Sequence, residues 1–358
     1  MVSKLDFGKL LYMGLTKQDR INTVYGGGRH VVLLGAGASI ASNLRNPEPG
    51  GKQLPSMENF IEVVGLQDIV ESLPVGLRHS NFEALYSAMH QADPVSAGIQ
   101  EIQARVRRYF EEMEMPDEPT IYDYLVLSLR PKDLIATFNW DPFLVQAYLR
   151  HNKKVKLPNC AFLHGNVSIG YSEEDEKPGP AGARHILTDN YYPPVPLLFP
   201  VTEKNYNRHP FIRGEWEKVK TWLHSEDTKL VTIFGYGAPT TDVEAMRLLN
   251  EAWGAPDQRD MEQLEVIDIK TEDAIRATWK GFIHSHHYDY CTSYFDSSLA
   301  LNPRRTFESY TQHIVPMSVE EAFSQSNPVP SDLKTLKDLY EWHEPLLAAE
   351  MVAEKTPR

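Results

Sequence analysis

Four consecutive apolar residues, Val31 to Leu34, run straight into Gly35-Ala36-Gly37-Ala38-Ser39. A continuous apolar run that ends in small residues is the pattern of a strand buried on both faces that turns directly into a helix. Further strands are predicted at 134–138, 161–163, 230–234 and 264–269, with helical periodicity between several of them. Residues 56–130 carry mostly helix-period patterns, at 57–64 (with Ser56 as its cap), 81–91, 98–113 and 120–129, and form a predicted helical insertion. Helices are also predicted at 243–253, 271–279 and 332–350. Alternation of β and α predicts an α/β fold: a doubly wound, Rossmann-like parallel sheet with a helical insertion and a helical C-terminal segment. Charge followed by Pro-Gly-Pro-Ala-Gly marks 173–183 as a surface loop, and 327–331 as a linker.

Bulk properties narrow the function classes. At 358 residues and 42% hydrophobic composition the chain can bury a core without covalent staples. Its two cysteines, Cys160 and Cys291, lie far apart, which excludes a disulfide framework and a four-cysteine zinc site. No apolar run approaches the roughly 20 residues that cross a bilayer, and 10–15 is too short for a signal-peptide core, so a cytoplasmic protein is expected. A formal net charge of −13 disfavours a broad nucleic-acid-binding face, because phosphates need a cationic surface. The basic trio Arg105, Arg107 and Arg108 sits among Glu111, Glu112 and Glu114 and reads as a solvated helix face.

Ligands of doubly wound sheets bind beyond the carboxyl ends of the strands, so the residues that follow each strand are the informative ones. They are Gly35 to Ser39, Thr137-Phe138-Asn139-Trp140-Asp141, His164-Gly165-Asn166, Gly235-Tyr236-Gly237-Ala238-Pro239, and Asp268. Gly35-Ala36-Gly37 alone is weak, since Ile40 stands where a dinucleotide fingerprint has its third glycine. The order of the set is more specific. It resembles the sirtuin superfamily, whose members combine a Gly-Ala-Gly-x-Ser loop, a Thr-x-Asn-x-Asp segment, a following His-Gly and a late Gly-rich loop. The resemblance spans roughly residues 30–285. Segments 54–60, 200–204 with Trp216, and 235–242 look like bacterial sirtuin-like NAD hydrolases of antiphage defence. The zinc ribbon and the Gly-Ile-Pro-Asp-Phe-Arg segment of deacylating sirtuins are both missing, which argues against protein deacylation.

The resemblance implies a catalytic domain at 30–285, an N-terminal segment at 1–29 and an extension at 286–358, with NAD as substrate and no true cofactor. Asn139 is expected to orient a ribose hydroxyl or the attacking water, and His164, placed after a strand and expected to be exposed, to act as general base. Asp141 either accepts from a ribose hydroxyl or caps the helix beginning near Pro142. Gly35, Ala36, Gly37 and Ser39 are expected at the pyrophosphate, Gly235 and Tyr236 on the adenosine side, and Asp268 at adenosine hydroxyls, with Ala38 and Thr137 also among the nucleotide-binding residues. Asp242 reads as a helix cap and Lys204 as an exposed lysine or a phosphate contact. His284, His286 and His287 have no identifiable further ligand, so no metal is expected. The competing readings are a silent NAD or ADP-ribose sensor, a deacylase or ADP-ribosyltransferase, and a dehydrogenase. By resemblance, a second defence protein is expected as partner, either a hexameric DNA-translocating ATPase or an Argonaute-like protein. Self-association is expected through 4–25 and the region after His284.

Overall fold

The run Val31 to Leu34 is fully buried: a strand pairs with it on each side in the sheet, and both faces, to which its side chains alternate, are covered. In the computed structural model this strand, β1 (Arg29–Leu34), is central to a six-stranded sheet. The structure describes residues 16–45, 52–201, 206–238, 242–255, 259, 262–283, 288–314 and 326–355; Lys204, His284, His286 and His287 lie outside them. The other strands of this sheet are β2 (Leu134–Thr137), β3 (Asn159–Phe162), β6 (Thr228–Phe234), β7 (Gln263–Ile267) and β8 (Tyr288–Cys291). Their order is β3-β2-β1-β6-β7-β8, and every neighbouring pair is parallel. The chain thus builds outward from β1 on one side and then from β6 on the other. The carboxyl ends of β1 and β6 form the switch point where such sheets open a crevice.

The strands expected from apolar runs are all present, displaced by a residue or two at their ends. β8 was not expected, and it carries the sheet past residue 285. The helical insertion holds Phe60–Val64, Gln67–Ser72, Phe82–Ala92, Ala97–Glu111 and Ile121–Ser128. Its first helix starts at Phe60 rather than 57, because Ser56 turns its amide and hydroxyl onto Asn59 Oδ1 at 2.7 and 3.1 Å and caps nothing. Ile121–Ser128 is buried along its whole length, starts on a Thr120/Asp123 capping box and packs on Ala36–Arg45 and Phe143–His151.

The stretch expected as a loop at 173–183 holds a strand. β4 (Ile169–Ser172) pairs antiparallel with β5 (Lys177–Pro180) in a two-stranded ribbon. Pro178 and Pro180 are tolerated because a two-stranded ribbon has only edges, where a missing N–H is harmless. The terminal helix runs Leu336–Lys355, and its Glu350 carboxylate bridges the buried Arg304 at 2.6 Å and Arg305 at 2.7 Å. Arg305 also donates to Ile21 O at 2.9 Å, from the short helix Lys17–Asn22, so the two ends of the described chain pack on each other. No helix among the described residues is long and apolar enough to cross a membrane.

Candidate functional site

Above the switch point lies a cavity of about 350 Å³, within the usual size range of small-molecule sites. Its floor comes from the strand ends: Gly35, Ala36 and Ser39 after β1, Asn139 and Asp141 after β2, His164 after β3, Gly235 to Gly237 after β6 and Lys270 beyond β7. The roof comes from the insertion, with Met57, Phe60, Glu83 and Phe110. Loops far apart along the chain, expected to converge beyond the strand ends, line one cavity.

The loops after β1 and β6 are locked backbone to backbone. Gly37 N donates to Gly235 O at 2.9 Å, and Gly35 N to Phe234 O at 3.0 Å. A Cβ on Gly35 would strike the Tyr236 and Gly235 backbone, one on Gly37 the Gly235 backbone, and one on Gly235, at φ 62°, the backbone of Gly37 and Ala38. These glycines are needed for close loop packing before any ligand arrives. They also consume amides, since Ala38 N bonds Gly35 O at 3.0 Å. Ala36 and Ser39, in the first turn of the helix Ala36–Arg45, both line the cavity. Ala38, Gly37 and Thr137 stand behind the cavity wall; Thr137 Oγ1 accepts from Asn139 N at 3.0 Å and shapes the turn.

Asn139 is buried, with Nδ2 donating to Gly35 O at 2.8 Å and Ser39 Oγ at 2.9 Å. The donor half of its amide is spent on the loop after β1, so the acceptor Oδ1 is what it can offer a ligand. Asp141 is engaged on both oxygens. Oδ2 takes the Ser39 hydroxyl at 2.7 Å and Oδ1 the Phe143 amide at 3.2 Å, so its helix-start role is real although the helix begins at Phe143. Burial pushes its carboxyl up to about 6, against the lowering pull of those bonds.

His164 is buried rather than exposed, at 6% of its surface, because helix Pro210–His224 and the Leu198 strap close over it. Trp216 Nε1 donates to Leu163 O at 3.1 Å, Leu198 N to His164 O at 3.0 Å, and Phe138 meets the imidazole edge to face at 4.9 Å. Its Nε2 lies 3.0 Å from the Tyr206 hydroxyl and 3.6 Å from Asp242 Oδ1. Asp242 is the residue that sequence reasoning missed. It occupies the cap position before Val243–Trp253 but makes no side-chain cap bond there. Instead its buried carboxylate accepts from Tyr206 at 3.1 Å and from Tyr236 at 2.7 Å and lines the cavity. Tyr236 stacks flat on Phe138 at 3.9 Å. Asp268 stands off the cavity wall, accepting the Lys270 amide at 2.9 Å, while the Lys270 side chain reaches the wall itself. Among the described residues no cluster of three or more His, Cys, Asp or Glu is arranged to hold a metal ion.

No family model and no curated protein matches the chain. Among solved structures it is similar to a mutant Sir2 homologue in complex with ADP-ribose, at 12% identity and TM-score 0.37, over 75% of this chain and 94% of that one. A Sir2 homologue–NAD complex is similar at 12% identity and TM-score 0.38, over 76% of this chain and 86% of that one. A second mutant Sir2 homologue with ADP-ribose gives 11% identity and TM-score 0.39, over 83% and 98%.

Proposed function

We propose that the chain is an NAD glycohydrolase, which breaks the nicotinamide–ribose bond and releases nicotinamide and ADP-ribose. The observation that carries this reading is the meeting of Asn139 and His164, from the ends of adjacent strands, on the wall of one cavity at the switch point. Dinucleotides bind doubly wound sheets at this place. The N-terminal turn of helix Ala36–Arg45, whose Ala36 and Ser39 line the cavity, suits the pyrophosphate through its dipole. Gly235 and Tyr236 then lie on the adenosine side of the crevice, with Lys270 beyond them.

As the glycosidic bond lengthens, nicotinamide leaves with the bonding pair and the ribose gains oxocarbenium character. Water adds to the anomeric carbon and loses a proton. NAD and water thus give nicotinamide, ADP-ribose and H⁺. Asn139 Oδ1 accepts a hydrogen bond from the water or from a ribose hydroxyl and so orients it, and His164 takes the proton. Asp141 holds Ser39, and through it Asn139, in register. The two apolar roof rings, Phe60 and Phe110, limit water around the reacting centre.

The reading extends to an NAD-depleting effector of antiphage defence that works as a homo-oligomer with a second protein. Its support is the resemblance of segments 54–60, 200–204 and 235–242 to that branch. The test is to incubate purified protein, alone and with the product of the neighbouring gene, with NAD and to quantify free nicotinamide and ADP-ribose. Release is expected, and Asn139→Ala and His164→Ala are each expected to abolish it in protein that remains folded, at some cost in melting temperature because both side chains are buried and hydrogen-bonded. Release that survives both substitutions overturns the site, and NAD binding without release would identify a sensor.

A further inference from the structure

We propose that Asp242 is a positioning residue that, through the hydroxyl of Tyr206, holds neutral His164 in the Nε2–H tautomer and so makes Nδ1 its basic nitrogen. The inference rests on reading His164 as the general base.

It follows from proton counting. An ionised carboxylate can only accept, and each tyrosine hydroxyl has a single proton. Tyr206 gives its proton to Asp242 Oδ1 at 3.1 Å, and Tyr236 gives its own to Oδ2 at 2.7 Å. The Tyr206 oxygen, 3.0 Å from His164 Nε2, is then left as an acceptor, so Nε2 must be the nitrogen that carries hydrogen. Both hydroxyls are pushed well above the ordinary tyrosine range, by burial first and then by the Asp242 carboxylate, so they remain donors at neutral pH. Reversing the chain would leave a carboxylate oxygen facing an oxygen lone pair.

The same arrangement stabilises the imidazolium that forms when Nδ1 takes a proton. Asp242 Oδ1 lies 3.6 Å from Nε2, close enough for a charge pair in a buried site. Tyr206 and Asp242 face the Nε2 edge and Phe138 the ring. Glu244 adds negative charge near Tyr206, and Glu83, from the roof, near Tyr236. The two tyrosines come from separate segments, so one carboxylate ties the loop after β6 to the chain that leads into helix Pro210–His224.

The decisive measurement is a long-range imidazole ¹H–¹⁵N correlation on the full chain, labelled on histidine at about pH 8. The His164 signal is identified as the one lost in His164→Gln. The Nε2–H pattern is expected; an Nδ1–H pattern or an even mixture overturns the proposal. This readout needs no variant of Asp242 and no activity. Kinetically, Asp242→Asn is expected to lower kcat for nicotinamide release by about 100-fold, with KM changed less than about threefold. Its acid limb in the kcat–pH profile should move to lower pH, because the imidazolium loses its counter-charge. Wild-type kcat and an unmoved limb in Asp242→Asn would also overturn it. Should the parent chain release no nicotinamide while His164 shows the Nε2–H pattern, the hydrolase reading fails and the relay stands.

Discussion

A methyl group at Gly235 is the smallest change that tests how the two glycine loops are joined. Gly235→Ala forces an L side chain into φ 62° and against the Ala38 backbone, so stability should fall by at least 1–3 kcal/mol. An unchanged melting temperature would show that the loops can part. A second residue-scale expectation concerns Glu265, buried in β7, where Thr232 and Ser298 bond its carboxylate. Burial pushes it up to about 7, from an ordinary value near 4.5, despite those bonds. The folded protein therefore holds this proton more tightly than the unfolded chain. The stability it contributes is full below about pH 4.5 and is lost as pH rises through about 7. Glu265→Gln should flatten the dependence of the urea midpoint on pH across that window; a parallel, undiminished slope would remove Glu265 as its source. At this scale the legible residues were those next to strands. Asn139 and His164 follow apolar runs, whereas Asp242 sits in a position that helix capping explains well enough. Its partners lie 36 and 6 residues away, with no periodicity to connect them.

Among the elements, the terminal helix is tied down by a buried carboxylate as well as by its apolar face. Glu350 is held below the usual carboxylate range: burial opposes this, and the bonds and charges of Arg304 and Arg305 outweigh it. Glu350→Gln leaves two buried guanidiniums short of a counter-charge and should cost about 3 kcal/mol or more. Hydrogen exchange across 336–355 should rise first, and protection equal to the parent's would refute the clamp. A milder cut is Tyr340→Phe, which removes the hydroxyl 2.6 Å from His151 Nδ1, while Asp123 still holds Nε2 at 2.8 Å. It should destabilise by about 1 kcal/mol, measured by urea denaturation. The long, strongly patterned elements were readable from sequence because apolar spacing alone specifies them; Val243–Trp253 is placed to the residue. β4, β5 and β8 were not, since β4 is a four-residue Ile-Gly-Tyr-Ser stretch with no apolar run, β5 is composed of turn residues, and β8 is half-buried Tyr-Asp-Tyr-Cys at a sheet edge. Strands of that kind exist because a neighbour offers hydrogen bonds, and no local signal announces a neighbour.

For the molecule as a whole, the sequence shows which strand ends matter but not what covers them. The order β3-β2-β1-β6-β7-β8 is the doubly wound arrangement expected from alternating elements, and it alone brings residues 35, 139, 164 and 235 to one edge. The enclosure above them comes from the insertion, whose helices were foreseen as helices with no indication of the surface they would shelter. Gly35, Gly37 and Gly235 give that enclosure an asymmetry. With the base of the crevice zipped together main chain to main chain, a visiting molecule cannot be accommodated by spreading the strands. Entry and exit must then be conceded on the side lined by the half-buried Leu54 and Met57, since Phe60 and Phe110 are buried against Trp140. Which ligand is admitted, and how quickly it departs, should therefore be tunable by exchanging Leu54 and Met57, which stand apart from the hydrogen-bonded groups beneath.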